Sequence, residues 1–156
     1  PVPSSLIEKA CSFNDYDCGH EFDLDGGILI KTGQLNHPNG ACGYRIEFEG
    51  KIIAICTDTE HFEGRIDDNV VGLAKDADIM VYDAAYTEES YPNFKGWGHS
   101  TWQEAIKVAD AANVKQTFLF HHDPSHSDDV MDKIAKEVAL IRGGVRPAIE
   151  GETVTV

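Results

Sequence analysis

Four side chains in this sequence have the type and the placing to do chemistry, and three of them follow apolar runs. His37 stands in Asn36-His37-Pro38-Asn39-Gly40, Asp58 in Thr57-Asp58-Thr59-Glu60 after Ile52-Ile53-Ala54-Ile55-Cys56, and His121 directly after Phe118-Leu119-Phe120. Imidazole nitrogen and carboxylate oxygen suit zinc, manganese and iron alike, and ligands on separate strand ends have their geometry set by the sheet. The fourth, His99 in Gly98-His99-Ser100-Thr101, precedes a helix start, where free N–H groups and an imidazole together suit a phosphate or a general acid. Taken singly, His37 and Asp58 also fit plain turn residues, and His99 a helix-flanking ring in water. His121 is crowded by His122, Asp123 and His126, a cluster that repels itself when protonated unless a metal or carboxylates compensate. No His-x-x-x-His or Cys-x-x-Cys spacing is present. His20 and His61 read as ordinary surface or loop residues.

The elements that must position these groups follow from periodicity. Phe22 and Leu24 alternate before Asp25-Gly26-Gly27, a hairpin signal, and a second strand runs from Ile28 to Leu35 and delivers His37. Gly43–Phe48 alternates, Glu49-Gly50 turns, and Lys51–Cys56 is a near-continuous buried strand ending at Asp58. Asp67 caps a helix over 69–75, and Asp78–Asp83 returns as a strand ending on a carboxylate. Residues 86–98 form a long aromatic-rich loop without helical period, a lid, a pocket wall or a packed surface loop. Ser100 or Thr101 caps a helix whose buried face is Ala105, Ile106, Val108, Ala109 and Ala112. The strand 116–120, a helix over 127–141 stopped by Gly143-Gly144, and a terminal hairpin of 145–149 with 153–156 complete the chain. One or two helical turns are expected over 5–10. The reading is α/β, a mixed β-sheet with flanking helices, in a single unit over 1–156.

With 27 acidic against 13 basic residues and a formal charge of −14, the chain repels a polyphosphate, so long nucleic acid is disfavoured as a partner. Part of that acid can serve a metal instead. The four cysteines show no paired spacing and read as reduced thiols, no apolar run reaches membrane-spanning length, and residues 1–5 lack a signal pattern. A cytoplasmic protein without membrane contact is expected.

The series Leu35-Asn36-His37-Pro38, Thr57-Asp58-Thr59-Glu60, Gly98-His99-Ser100-Thr101 and Phe120-His121-His122-Asp123-Pro124 resembles, in order and spacing, the later motifs of the metallo-β-lactamase superfamily, in the branch of ribonuclease Z and small phosphodiesterases. The resemblance implies that His37 and His121 each hold one of two divalent metals, zinc first, with manganese or iron as alternatives. It also implies that Asp58 bridges the two, that His99 contacts the scissile phosphate or protonates the leaving oxygen, and that Asp83 is an acidic supporting residue. The superfamily's His-x-His-x-Asp-His signature does not occur in the 156 residues. The chain therefore resembles the C-terminal half of an αβ/βα sandwich, completed by an N-terminal half or by a homo-oligomer. The implied activity is hydrolysis of a small or cyclic phosphodiester. The alternatives are a non-catalytic half-domain acting as a binding or assembly module, and a mononuclear metal protein using His37, Asp58 and His121.

Overall fold

The computed structural model describes Ile7, Cys11 and residues 13–156, so the turns expected over 5–10 fall, but for Ile7, outside the described residues. One seven-stranded sheet takes its strands in sequence order: β1 (Glu21–Leu24), β2 (Ile28–Leu35), β3 (Ala41–Phe48), β4 (Lys51–Cys56), β5 (Ile79–Asp83), β6 (Gln116–Phe120) and β7 (Val145–Pro147). The pairs from β1 to β4 are antiparallel and those from β4 to β7 parallel. The switch has a local cause. The opening connections, of three, five and two residues, are too short to do more than reverse the chain, whereas each later connection carries a helix long enough to bring it back in the same direction.

Those helices are α1 (Asp68–Ala74), α2 (Trp102–Ala111) and α3 (Asp128–Ile141). Asp67 caps α1 by accepting from Asn69 N–H at 2.9 Å, and Thr101 Oγ1 caps α2 by accepting from Glu104 N–H at 3.2 Å. No side-chain cap bond opens α3, but Asp128 and Asp129 in its first turn favour the positive end of its dipole. All three helices pack on one face of the sheet, against Leu35, Ala54, Cys56, Met80, Tyr82 and Leu119. The buried Leu35, Met80 and Leu119 side chains there each contribute about 1.5–3 kcal/mol relative to exposure. Gly43 lets α1 sit close, since a Cβ at that position would lie 2.8 Å from Leu73 Cδ1.

The opposite face carries no helix among the described residues and is apolar in register. Ile30, Ile46, Ile53 and Ile79 form one cross-strand row, and Tyr44, Ile55, Val81 and Phe118 form the next. Most of these residues are half-buried.

The terminal hairpin expected from 145–149 and 153–156 does not form. Val145–Pro147 instead joins the sheet parallel to β6, with Thr117 opposite Val145, and 153–156 is not a strand. The turn beyond is closed by the Arg146–Glu152 ion pair, and Ile149 is left exposed. The apolar alternation of 145–149 was spent on β6, which offered a longer buried edge than a terminal hairpin could.

Candidate active site

Strands β2 and β4 run the same way because two antiparallel pairings separate them, and β5 and β6 continue that direction. The C-terminal ends of all four therefore lie along one edge of the sheet. His37 follows β2, Asp58 follows β4, Asp83 ends β5 and His121 follows β6. His99 arrives at the same edge from the loop before α2.

The geometry joins every one of these residues. His121 Nδ1 lies 3.6 Å from Asp58 Oδ1. The ring centroid of His99 is 4.4 Å from that of His121 and 5.8 Å from that of His37. Among the described residues, two groups of three have ligand atoms within 4.8 Å of one another: His37 with Asp58 and His99, and Asp83 with His99 and His121. His37 and His121, read from the sequence as ligands of two different metals, thus fall in different groups, and His99 is common to both. A set of imidazoles and carboxylates at this spacing fits divalent cations of the zinc, manganese and iron type.

Two backbone features support a built site. Asp58 and His121 both take left-handed φ, 57° and 59°. That region is uncommon for any side chain other than glycine, and such residues persist where the surroundings hold them. Gly98 has φ of 92°, and a Cβ there would lie 2.2 Å from His37 Cδ2. The Gly98 backbone therefore presses directly on the His37 ring.

Asp83 is fully buried and holds His99: its Oδ2 lies 2.8 Å from His99 Nδ1. It also accepts from Thr59 N–H at 3.2 Å, Ser100 N–H at 3.2 Å and Ala85 N–H at 3.2 Å. Burial pushes the Asp83 carboxyl above the usual range, against the downward pull of His99 and of the Ser100 and Ala85 N–H groups. The hydrogen bond commits His99 Nδ1 and leaves Nε2 for other partners.

Glu60 was not singled out by its type or spacing, yet it links the loops that carry His37, Asp58 and His99. Its N–H donates to Asn36 O and its carbonyl accepts from Asn36 Nδ2, each at 2.8 Å, which ties it to the residue before His37. Its carboxylate accepts from Tyr91 Oη at 2.6 Å, Gly96 N–H at 2.8 Å and Gly98 N–H at 3.0 Å. Burial alone would raise this carboxyl, but the N–H of Gly96, the hydroxyl of Tyr91 and the N–H of Gly98 outweigh it and hold the pKa below the usual value. The sequence signal that could have found it is the acid itself, two residues past Asp58 and facing a glycine-containing loop.

His61 lies in a loop, as one of its two readings from the sequence had it, but not at the surface. It is half-buried, its Nδ1 lies 3.0 Å from Ser100 Oγ, its ring packs 4.3 Å from that of Tyr91, and burial lowers its pKa. The aromatic loop contains one 3-10 turn, Tyr91–Asn93, and buries Tyr86 and Tyr91, so it forms a packed wall. His20 is exposed, as read. His122 is half-buried and its pKa is lowered by burial, then by His126.

A family model described as the beta-lactamase superfamily domain matches residues 3–122. This chain belongs to the metallo-β-lactamase superfamily. The ribonuclease Z of Streptococcus mutans is 35% identical to it over 125 residues, covering 76% of this chain and 36% of that protein. The chain thus spans about a third of the length of this relative. Among solved structures, the metallo-beta-lactamase fold protein YhfI from Bacillus subtilis aligns with a TM-score of 0.71 at 18% identity, over 88% of this chain and 53% of that one. Zn(2+)-bound PqqB from Methylobacterium extorquens aligns with a TM-score of 0.69 at 14% identity, over 90% of this chain and 55% of that one. At these identities the two structures show a shared fold. They agree with the mixed sheet and flanking helices read from the sequence.

Proposed function

We propose that this chain is the C-terminal half of a metal-dependent phosphodiester hydrolase whose site is completed by residues outside it. The observation that carries the reading is the convergence of His37, Asp58, His99 and His121 on one sheet edge with His99 tethered to buried Asp83. Likeness to a ribonuclease supports phosphodiester chemistry over the other hydrolyses open to this fold. The bare apolar face, with its rows of isoleucine and aromatic residues, supports a complementary half packed there.

His37 and His121, whose rings both neighbour that of His99, would hold divalent cations, and Asp58, within reach of both, would share in holding them. A pair of such cations would polarise the phosphoryl group and offset its developing charge. The chain's own part in the reaction is positional and protonic. Asp83 holds His99 through Nδ1, so Nε2 is the atom that gives a proton to the departing alkoxide. The carboxylate also stabilises the imidazolium before that transfer. By accepting from Gly96 and Gly98 N–H, Glu60 keeps the Gly98 backbone against the His37 ring and so helps fix the distance between the His37 and His99 imidazoles.

The net charge argues for a small or cyclic phosphodiester, but the likeness to a ribonuclease runs against excluding RNA. The charge is that of a chain about a third as long as the relative, and bound cations would reduce it further.

The test is the full-length protein assayed for metal by plasma mass spectrometry and for hydrolysis of bis(p-nitrophenyl) phosphate, a cyclic nucleotide and a short RNA. Metal-dependent turnover of at least one ester, lost in His121→Ala together with metal, is expected. Bound metal with no turnover of any phosphodiester would refute the reading and favour the half-domain as an assembly module, for which the bare sheet face is the supporting feature.

A further inference from the structure

The aromatic rings beside His99 form a continuous series. The Tyr86 ring meets His99 at 6.2 Å and 68°, Phe94 stacks on Tyr86 at 4.4 Å and 5°, and Trp97 stands against Phe94 at 5.5 Å and 85°. Exposure rises along the series. Tyr86 is buried, Phe94 half-buried, and Trp97 is 62% exposed.

Trp97 is exposed but not loosely attached. The N–H groups on both sides of it, from Gly96 and Gly98, donate to Glu60 at 2.8 Å and 3.0 Å, and its own N–H donates to Phe94 O at 3.1 Å. Lys95, two residues before it in the chain, is held by Glu63 and lies 6.0 Å from the Tyr91 ring. Apart from its edge contact with Phe94, this large apolar ring is left in water on a backbone fixed by a nearly buried carboxylate. It is pre-organised for an incoming flat ring, because little conformational entropy remains to be lost on contact. It stands two residues before His99 and one before the glycine that touches His37, and the ring series runs from it through Phe94 and Tyr86 to His99.

We infer that Trp97 is a stacking platform for a nucleobase on the phosphodiester turned over at His99. The inference rests on the phosphodiesterase reading above and adds the substrate class: an ester of a nucleoside, free or at the end of an RNA strand. Because every base presents a π-face, stacking on the indole is tolerant of base identity.

Isothermal titration calorimetry on the full-length protein with adenosine 5′-monophosphate and ribose 5-phosphate tests it. The nucleotide is expected to bind about ten- to a hundredfold more tightly than the sugar phosphate. Trp97→Leu should bring the two affinities together by weakening only the nucleotide, and Trp97→Phe should restore most of the difference. With its side chain largely in water, Trp97 is replaceable without loss of fold, which an unchanged melting temperature checks. Equal binding of the two ligands, no binding of either, or an equal loss for both in Trp97→Leu would overturn the inference. Single-stranded oligoadenylate, run alongside, separates the sources: tighter binding than the mononucleotide identifies an RNA strand, and equal binding a free nucleotide, both through the same ring. Hydrolysis of bis(p-nitrophenyl) phosphate keeps the two claims apart. Base-dependent binding without any hydrolysis sinks the phosphodiesterase reading while supporting the stacking site, and hydrolysis without base preference sinks the stacking site alone.

Discussion

Replacing Glu60 should loosen the loop before His99 by an amount that the structure allows to be worked out. Glu60 is 9% exposed, and its carboxylate receives three donors: Tyr91 Oη, Gly96 N–H and Gly98 N–H. In Glu60→Ala the exposed Gly96 N–H turns to water, whereas Tyr91 and Gly98 are buried and keep unsatisfied donors. Each such donor costs about 1–3 kcal/mol, offset in part by relief from burying a charge, so a net loss of about 2–4 kcal/mol is expected. At a urea dependence of about 2 kcal/mol per molar, the unfolding midpoint of the full-length protein falls by about 1–2 M. Glu60→Gln, with one acceptor oxygen left, should lose about half as much. A second readout localises the effect. Lys95 lies in the segment that Glu60 holds, so brief trypsin treatment followed by mass spectrometry should cut after Lys95 in Glu60→Ala and leave the parent intact at that bond. A midpoint shift below about 0.5 kcal/mol equivalent, with no new cleavage after Lys95, would refute the role assigned to this carboxylate.

Three further outcomes are expected. His99→Ala should lower kcat of the full-length enzyme by about 10²–10⁴ with metal content unchanged, and Asp83→Asn should lower it through the same atom because the His99 Nδ1 tether weakens; steady-state kinetics with plasma mass spectrometry checks both. Asp78 bonds Lys115 Nζ at 2.7 Å and Ile52 N–H at 2.9 Å, and Lys115 first, then Ile52, holds its pKa below 3.8. Its contribution to stability is therefore complete above about pH 4 and is lost as pH falls through the lower folded-state value, so urea midpoints of Asp78→Asn should depend less on pH in that acid window than those of the parent. Cys56 is fully buried, and burial pushes its thiol up to about 12, so iodoacetamide at pH 8 should label exposed Cys11 in the native protein and reach Cys56 only after denaturation, as peptide mass spectrometry would show.

Much of the architecture was legible because it rests on local rules. Lys51–Cys56 and Gln116–Phe120 are short apolar runs bounded by turn residues, and each is a strand over those residues. Asp67 and Thr101 announced helix starts because a side-chain oxygen two or three residues before a free N–H is a local contact. The terminal hairpin failed where local pattern competed with a distant partner, and the edge of β6 won.

The site divides along the same line. The amino-acid sequence determined which groups are available: imidazoles and a carboxylate just past strand ends, in an order that resembles a known family. It also determined the left-handed turns, since aspartate and histidine tolerate at Asp58 and His121 a backbone that β-branched residues resist. Only the tertiary structure decided that four strand ends share an edge, because that depends on two antiparallel pairings followed by parallel crossovers. It alone put the His99 ring beside those of both His37 and His121, buried Asp83 against it, and gave Glu60 three donors from residues more than thirty positions away in the chain. Contacts at that separation leave no periodicity in a sequence, since they arise when independent loops meet at the end of a sheet.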